Sequence, residues 1–189
     1  MKVDDCKLLK DDELVKLFQA NPEPVYFEVL YKRYWNKVTN KCYSLVKNHV
    51  LAEELTEDIF SKVFEKLQGF KSLSSFSSWL YSITYNQCID YLRKKKKLHY
   101  PEWNRNHEIP EIIDESSELM NEISFDNFLK VLEMIHPEEK ALILMKYQDN
   151  LSMKQIATSL RISEDATKMR LKRARARIVY IYKTKFFDN

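Results

Sequence analysis

The sequence predicts an all-α protein: two small helical domains joined by an extended acidic linker, with a helix-turn-helix in the C-terminal domain. Three observations predict it. One glycine among 189 residues, with 31% of them charged, leaves little material for sheets and tight hairpins. The five prolines stand at positions 22, 24, 101, 110 and 137, so residues 25–100 and 138–189 run unbroken around a breaker-rich centre. Within both spans apolar side chains recur at spacings of three and four. The boundaries expected are 1–97, 98–120 and 121–189, and 11 Tyr, 10 Phe and 3 Trp supply core for modules of that size.

Residues 11–20 read as a short leading helix. From Val25 to about Lys47, the stripe Phe27, Leu30, Tyr31, Tyr34, Trp35, Val38, Cys42 and Leu45 predicts a long amphipathic helix. A second runs from about Leu51 to Gln68 with Leu55, Ile59, Phe60, Val63, Phe64 and Leu67 inward. Its exposed face opens with Glu53, Glu54, Glu57 and Asp58. Gly69 stands just past its end, where a left-handed residue is wanted. A serine-rich loop then leads to a third helix from Phe76, whose stripe includes Trp79, Leu80 and Ile83. That helix ends in five consecutive cations, Arg93 to Lys97.

Periodicity fails from Lys97 to about Glu118. Between Glu102 and Asp126 eight acids face one base, Arg105, so this stretch reads as an extended tether. The next helix begins near Asn121 and turns Phe125, Phe128, Leu129, Leu132 and Ile135 inward. Pro137 suits the first position of another, which carries Leu142, Ile143 and Tyr147.

The C-terminal segment 150–177 reads NLSMKQIATSLRISEDATKMRLKRARAR. Ser152 and Gln155 form a capping box, and Ile156, Ala157 and Leu160 make a buried stripe. Ser163 caps a second helix, with Glu164 and Asp165 at the positive end of its dipole. Thr167, Leu171, Ala174 and Ile178 should face inward. Lys168, Met169, Lys172 and Arg173 then occupy the opposite face, within reach of base edges, while Arg170, Arg175 and Arg177 flank it towards phosphates. Seven cations against two acids between Arg161 and Arg177 give a large counterion-release contribution. Two capped helices at this spacing, the second basic, are the pattern of a reader of the DNA major groove.

Other chemistry is scarce. Cys6, Cys42 and Cys88 are scattered, with no Cys-x-x-Cys and no Cys/His cluster, so neither a disulfide framework nor a zinc site is expected. Glu133 and His136 make one Glu-x-x-His pair, but a di-iron bundle needs two, and His136 before Pro137 reads as a helix cap. No phosphate loop, nucleophile elbow or zincin motif occurs. The expectation is a non-enzyme with no metal, no cofactor and no small-molecule substrate. Without a signal peptide or a membrane-length apolar run, it belongs in the cytoplasm.

Three segments together resemble a known family. Ala52 to Phe64 (AEELTEDIFSKVF) is similar to the core-polymerase-binding helix of bacterial sigma factors. Phe76 to Lys94 (FSSWLYSITYNQCIDYLRK) resembles their promoter-melting helix, and His136 to Arg175 their C-terminal DNA-reading region. The order, the separations and the lack of an intervening third domain resemble the extracytoplasmic-function (ECF) group.

The resemblance implies roles. Glu53, Glu54, Glu57 and Asp58 would pair with basic groups of core RNA polymerase, while Leu55 and Phe60 supply apolar contact. The loop from Gly69 to Ser75 would capture a base flipped from the −10 element of promoter DNA, selecting the base whose unstacking it offsets. Asn86 and Asp90 match positions near the −10 bases, and Arg93, Lys94 and Lys95 would hold phosphates. Trp79 and Tyr85 are available for stacking on strand bases, though Trp79 also suits the core. Lys168, Met169, Lys172 and Arg173 match the base-proximal face for the −35 element, flanked by Arg170 and Arg175. The acidic tether would thread the polymerase's RNA exit path, and an anti-sigma factor would cover these faces. Departures from the family lie at Arg161, where glycine is common, at Asp165-Ala166-Thr167 in place of Gly-Thr-Val, and at the bulky Met169.

Another reading of the same residues is a stand-alone, dimeric helix-turn-helix regulator. It accounts for the C-terminal helices but leaves the acidic helix and the Phe76–Lys97 helix without a role. It predicts a two-fold symmetric footprint, whereas the sigma reading predicts an asymmetric footprint over two separate elements.

Overall fold

The computed structural model describes residues 6–95, 120 and 122–187. The tether therefore lies outside the described residues, as do Lys96 and Lys97. The chain divides into two compact units, Met1–Leu92 and Arg93–Asn189. Among the described residues all regular structure is helical.

The first unit is built on α1 (Asp11–Ala20), α2 (Pro24–Val46), α3 (His49–Leu67) and α4 (Phe76–Lys95) as far as Leu92. Local chemistry sets the ends. Glu13 accepts from the Lys10 N–H at 2.7 Å to start α1, and Pro24 fills the first position of α2. Lys47 takes a left-handed conformation (φ 55°) and Asn48 at once caps α3, its Oδ1 accepting from the Leu51 N–H at 3.0 Å. Those two residues fold α2 and α3 into a helical hairpin. Asp11 binds both Arg33 and Tyr34, tying α1 to α2. Burial, aided by that carboxylate, pushes the Tyr34 phenol well above its ordinary value. Leu30, Val38, Ile59, Val63, Phe76, Leu80 and Tyr85 are all fully buried. Each stabilises the fold by about 1.5–3 kcal/mol relative to exposure.

Three expectations are corrected in this unit. Phe64 is 46% exposed, at the rim of the α2–α3 seam, where it packs edge-on against Phe27 (5.0 Å) and Phe18 (5.6 Å). Tyr85 is fully buried and its hydroxyl accepts from Lys41 Nζ at 3.4 Å, so it is a core residue and has no face for a nucleotide base. Gly69 does not have a positive φ. The end of α3 is satisfied from another helix instead: Gln19 Nε2 donates to the carbonyls of Leu67 (3.0 Å) and Phe70 (2.7 Å). With those carbonyls occupied, no left-handed residue is needed there.

The second unit contains α5 (Phe125–Leu132), α6 (Pro137–Ile143), α7 (Met153–Leu160) and α8 (Glu164–Tyr182), with π-helical turns at Leu144–Gln148 and Lys183–Phe187. Side chains cap each start: Ser124 for α5, His136 Nδ1 accepting from Glu138 N–H (3.2 Å) for α6, the reciprocal Ser152–Gln155 box for α7 and Ser163 for α8. Each such cap stabilises its helix by about 1 kcal/mol. The core holds Val131, Leu142, Met145, Leu151, Ile156, Leu171, Ala174 and Ile178.

Here too the inward stripe of one helix is shifted. Phe125 and Leu129 are 73% and 45% exposed, while Val131, Leu132 and Ile135 are buried. α5 has only eight residues, so its burial is set by the end that meets the rest of the unit, and Phe125 at its first position projects past it.

Candidate nucleic-acid interface

The helix-turn-helix forms as its local signals require. α7 ends in a Schellman pair, Ile162 N–H to Ala157 O (3.0 Å) and Arg161 N–H to Thr158 O (3.4 Å), with Arg161 left-handed at φ 55°. The turn does require positive φ, and arginine supplies it where glycine would be cheaper. α8 then buries Thr167, Leu171, Ala174 and Ile178 and turns Lys168 and Met169 to solvent, with Lys172 and Arg173 half-buried beside them. These four residues share one face, as the spacing predicts.

The flanking arginines differ from expectation. Arg170 Nη1 donates to Glu138 at 3.2 Å, and Arg177 Nε lies 3.0 Å from a Glu139 carboxylate oxygen. Both acids are 1% exposed. Arg170 and Arg177 therefore neutralise buried carboxylates in the first turn of α6, and their assignment to phosphates is withdrawn. Burial pushes Glu139 above the ordinary carboxyl value, with the Arg177 charge opposing that rise. Arg175 reaches the Tyr147 hydroxyl at 3.3 Å.

A second feature lies in the first unit. The loop after α3 and the start of α4 enclose a pocket of about 510 Å³, lined by Glu65, Lys66, Gly69, Phe70, Lys71, Leu73, Ser74 and Trp79. Phe70 and Trp79 stack at 4.6 Å and 29° and give it an aromatic wall. The sequence points to the loop, favours the core for Trp79 over a stacking role, and gives no role to Phe70; the available signal is an aromatic residue directly after the only glycine. Two lysines at an aromatic pocket combine attraction for phosphate with a stacking surface.

On α4, Asn86 Nδ2 lies 3.5 Å from Asp90 Oδ2, and both side chains are half-buried. They stand one turn apart on the face away from the core. Arg93 is half-buried and donates to both carboxylate oxygens of Glu138, at 2.8 and 3.0 Å. Like Arg170 it serves a buried acid, and its phosphate role is corrected. Lys94 and Lys95 are exposed in the last turn.

On α3, Glu53, Glu54, Glu57 and Asp58 are all exposed along one face. Leu55 and Phe60 are 4% and 2% exposed and belong to the core, although Phe60 also lines the groove beside Glu57. The apolar contact expected of Leu55 is corrected accordingly, and that of Phe60 is confined to the edge it shows in the groove. The apolar surface near the acids is instead the half-covered aromatic rim of Phe27, Tyr31 and Phe64, which lines a shallow groove with Glu57 and Glu65.

Among the described residues no three His, Cys, Asp or Glu side chains gather as a metal site would require. Glu133 pairs with Lys140 at 2.7 Å, and His136 caps α6. Nor is any described helix long and apolar enough to cross a membrane.

Comparison with known families assigns both units. Residues 30–98 match Sigma-70 region 2, and residues 125–178 match Sigma-70, region 4. The ECF RNA polymerase sigma factor SigW of Bacillus subtilis is 29% identical over 157 residues, covering 75% of this chain and 81% of SigW. The chain belongs to the ECF sigma factors. The RNA polymerase sigma factor YlaC of the same organism is 24% identical, with 78% of this chain and 87% of YlaC covered. Two solved structures share the fold: CnrH in complex with the cytosolic domain of CnrY (TM-score 0.60, 17% identity, 93% of this chain and 98% of that one), and the sigma factor RpoE in complex with the anti-sigma factor NepR from Bartonella quintana (TM-score 0.55, 19% identity, 84% and 98%).

In this sigma factor the region 2 match spans the acidic face of α3, the 69–75 pocket and α4, and the region 4 match spans α5 to α8 as far as Ile178. Both matched regions favour the sigma reading over the stand-alone dimeric regulator, which has no use for the first.

Proposed function

We propose that this chain binds core RNA polymerase and directs it to promoters, with three surfaces dividing the work. The acidic face of α3 (Glu53, Glu54, Glu57, Asp58) docks on a basic surface of the polymerase. The 69–75 pocket takes a base extruded from the −10 element, with Asn86 and Asp90 along the adjoining helix and Lys94 and Lys95 at its end for the backbone. The outer face of α8 (Lys168, Met169, Lys172, Arg173) reads the −35 element, with Arg175 at its edge. The domain limits that serve this reading are 1–97, 98–120 and 121–189.

The observation that carries it is the pairing of two different charged surfaces with two different family regions: an exposed acidic row in region 2 and a basic recognition helix in region 4. A single DNA-binding module needs only the second. Polymerase supplies the chemistry, and no residue of this chain takes a catalytic role. An aromatic pocket with lysines at its rim supports base capture, since a site that offsets the few kcal/mol of unstacking for one base also selects it. Both structural neighbours are held by a partner chain, one of them named an anti-sigma factor, which supports a similar regulator for this protein.

Run-off transcription with core polymerase on a fragment library tests the reading. Templates fired only in the presence of the chain, with an asymmetric footprint over two elements, are expected. No promoter-dependent product, or a two-fold symmetric footprint in the absence of polymerase, would overturn it.

A further inference from the structure

We propose that Leu73 is a wedge that holds the promoter duplex open beside the captured base, an inference that rests on the base-capture role of the 69–75 loop. Leu73 is 89% exposed, the largest exposure of any apolar residue in that loop, yet it lines the rim of the pocket walled by Phe70 and Trp79. The preceding residue, Ser72, holds a left-handed backbone at φ 51°, unfavourable for any residue with a Cβ, and the chain bends at Leu73 and Ser74. The loop thus presents an aliphatic side chain at its tip at a conformational cost.

Capturing a base creates a second problem. The stack it leaves contains a gap with apolar walls, and that gap recloses unless something fills it. An aliphatic side chain fills such a gap well and, having no donor or acceptor, does so without choosing a sequence. Leu73 lines the same pocket as Lys66 and Lys71, so a base held there lies beside it, and the two lysines suit the phosphates either side. Holding the base then belongs to Phe70 and Trp79, and persistence of the opening to Leu73. It is a positioning residue.

The test uses polymerase reconstituted with the full chain carrying Leu73→Ala or Leu73→Met. Two templates are compared: a duplex promoter recovered from the run-off library, and the same promoter with mismatches that open its −10 positions in advance. Leu73→Ala should lower initiation about tenfold on the duplex and match wild type on the pre-opened template, while Leu73→Met restores the duplex. Equal activity of Leu73→Ala on the duplex would overturn the proposal. So would an equal loss on both templates, which would make Leu73 part of the pocket wall, or weakened association with polymerase. Failure of the wild-type chain to direct initiation on either template would instead sink the base-capture reading itself.

Discussion

Arg170, on the recognition helix α8, donates to the carboxylate of Glu138 at 3.2 Å, and Glu138 is 1% exposed in the first turn of α6. One cation of a helix that reads as uniformly basic is therefore committed to the interior. A second, Arg177, is two turns further on and does the same for Glu139. The basic helix has two populations of cation: one holds it in place and the other faces outward.

Substitution should separate those populations. Arg170→Ala leaves a buried carboxylate short of a charge-assisted hydrogen bond, so the second unit should lose about 2 kcal/mol in chemical denaturation. Lys168→Ala and Met169→Ala, at exposed positions of the outer face, should stay within about 0.5 kcal/mol of wild type in the same assay. In transcription the order reverses. Lys172→Ala or Arg173→Ala should cost about 1–3 kcal/mol of discrimination at the −35 element with polymerase association intact. Loss of polymerase association in the Lys172 and Arg173 variants would show that α8 faces polymerase rather than DNA.

Glu139 makes stability depend on pH in a definite direction. Its folded value is raised above the ordinary 4.5, chiefly by burial. Between 4.5 and the raised value the native state holds a proton that the unfolded chain has released. Stability from this group is thus greatest below 4.5 and falls as pH rises through that window. Wild type should therefore lose stability relative to Glu139→Gln as pH is raised from about 4.5 towards neutrality, read from denaturant midpoints of the second unit. A constant difference between the two proteins across that range would show that the buried carboxyl does not titrate there.

Two turn positions exchange the roles their residue types suggest. Arg161 is left-handed and Gly69 is not, and a Cβ built on Gly69 would meet only the Lys66 carbonyl oxygen, at an ordinary 3.8 Å. Arg161→Gly should stabilise the second unit by about 0.5–1 kcal/mol, since relief of the αL cost exceeds the added chain entropy. Gly69→Ala should be neutral or stabilising by up to about 1 kcal/mol in the first unit. A loss of more than that at Gly69 would mean the chain needs a conformation there that this fold does not contain.

What the sequence made legible was local. Caps at Ser152 and Ser163 follow from a side chain and an amide three residues away, and each forms. The outward set on α8 follows from helical period alone. What stayed hidden depends on distant partners. Arg170 and Arg173 are three residues apart and chemically alike; the commitment of Arg170 to the interior depends on an acid 32 residues earlier. Leu55 and Phe60 face inward by helical period and are buried; it is the resemblance, not the period, that gives them an outward contact. The end of α3 was misjudged at Gly69 because its cap comes from Gln19, 48 residues away at Leu67.

Charge reversal on α3 tests the central claim most directly. Glu54 and Asp58 are both exposed and stand one turn apart, so Glu54→Lys with Asp58→Lys should leave folding of the chain unchanged. Association with core polymerase, measured at low salt, should weaken by at least about tenfold, the scale of one or two close charge pairs. An unchanged association would contradict the docking role of the acidic face.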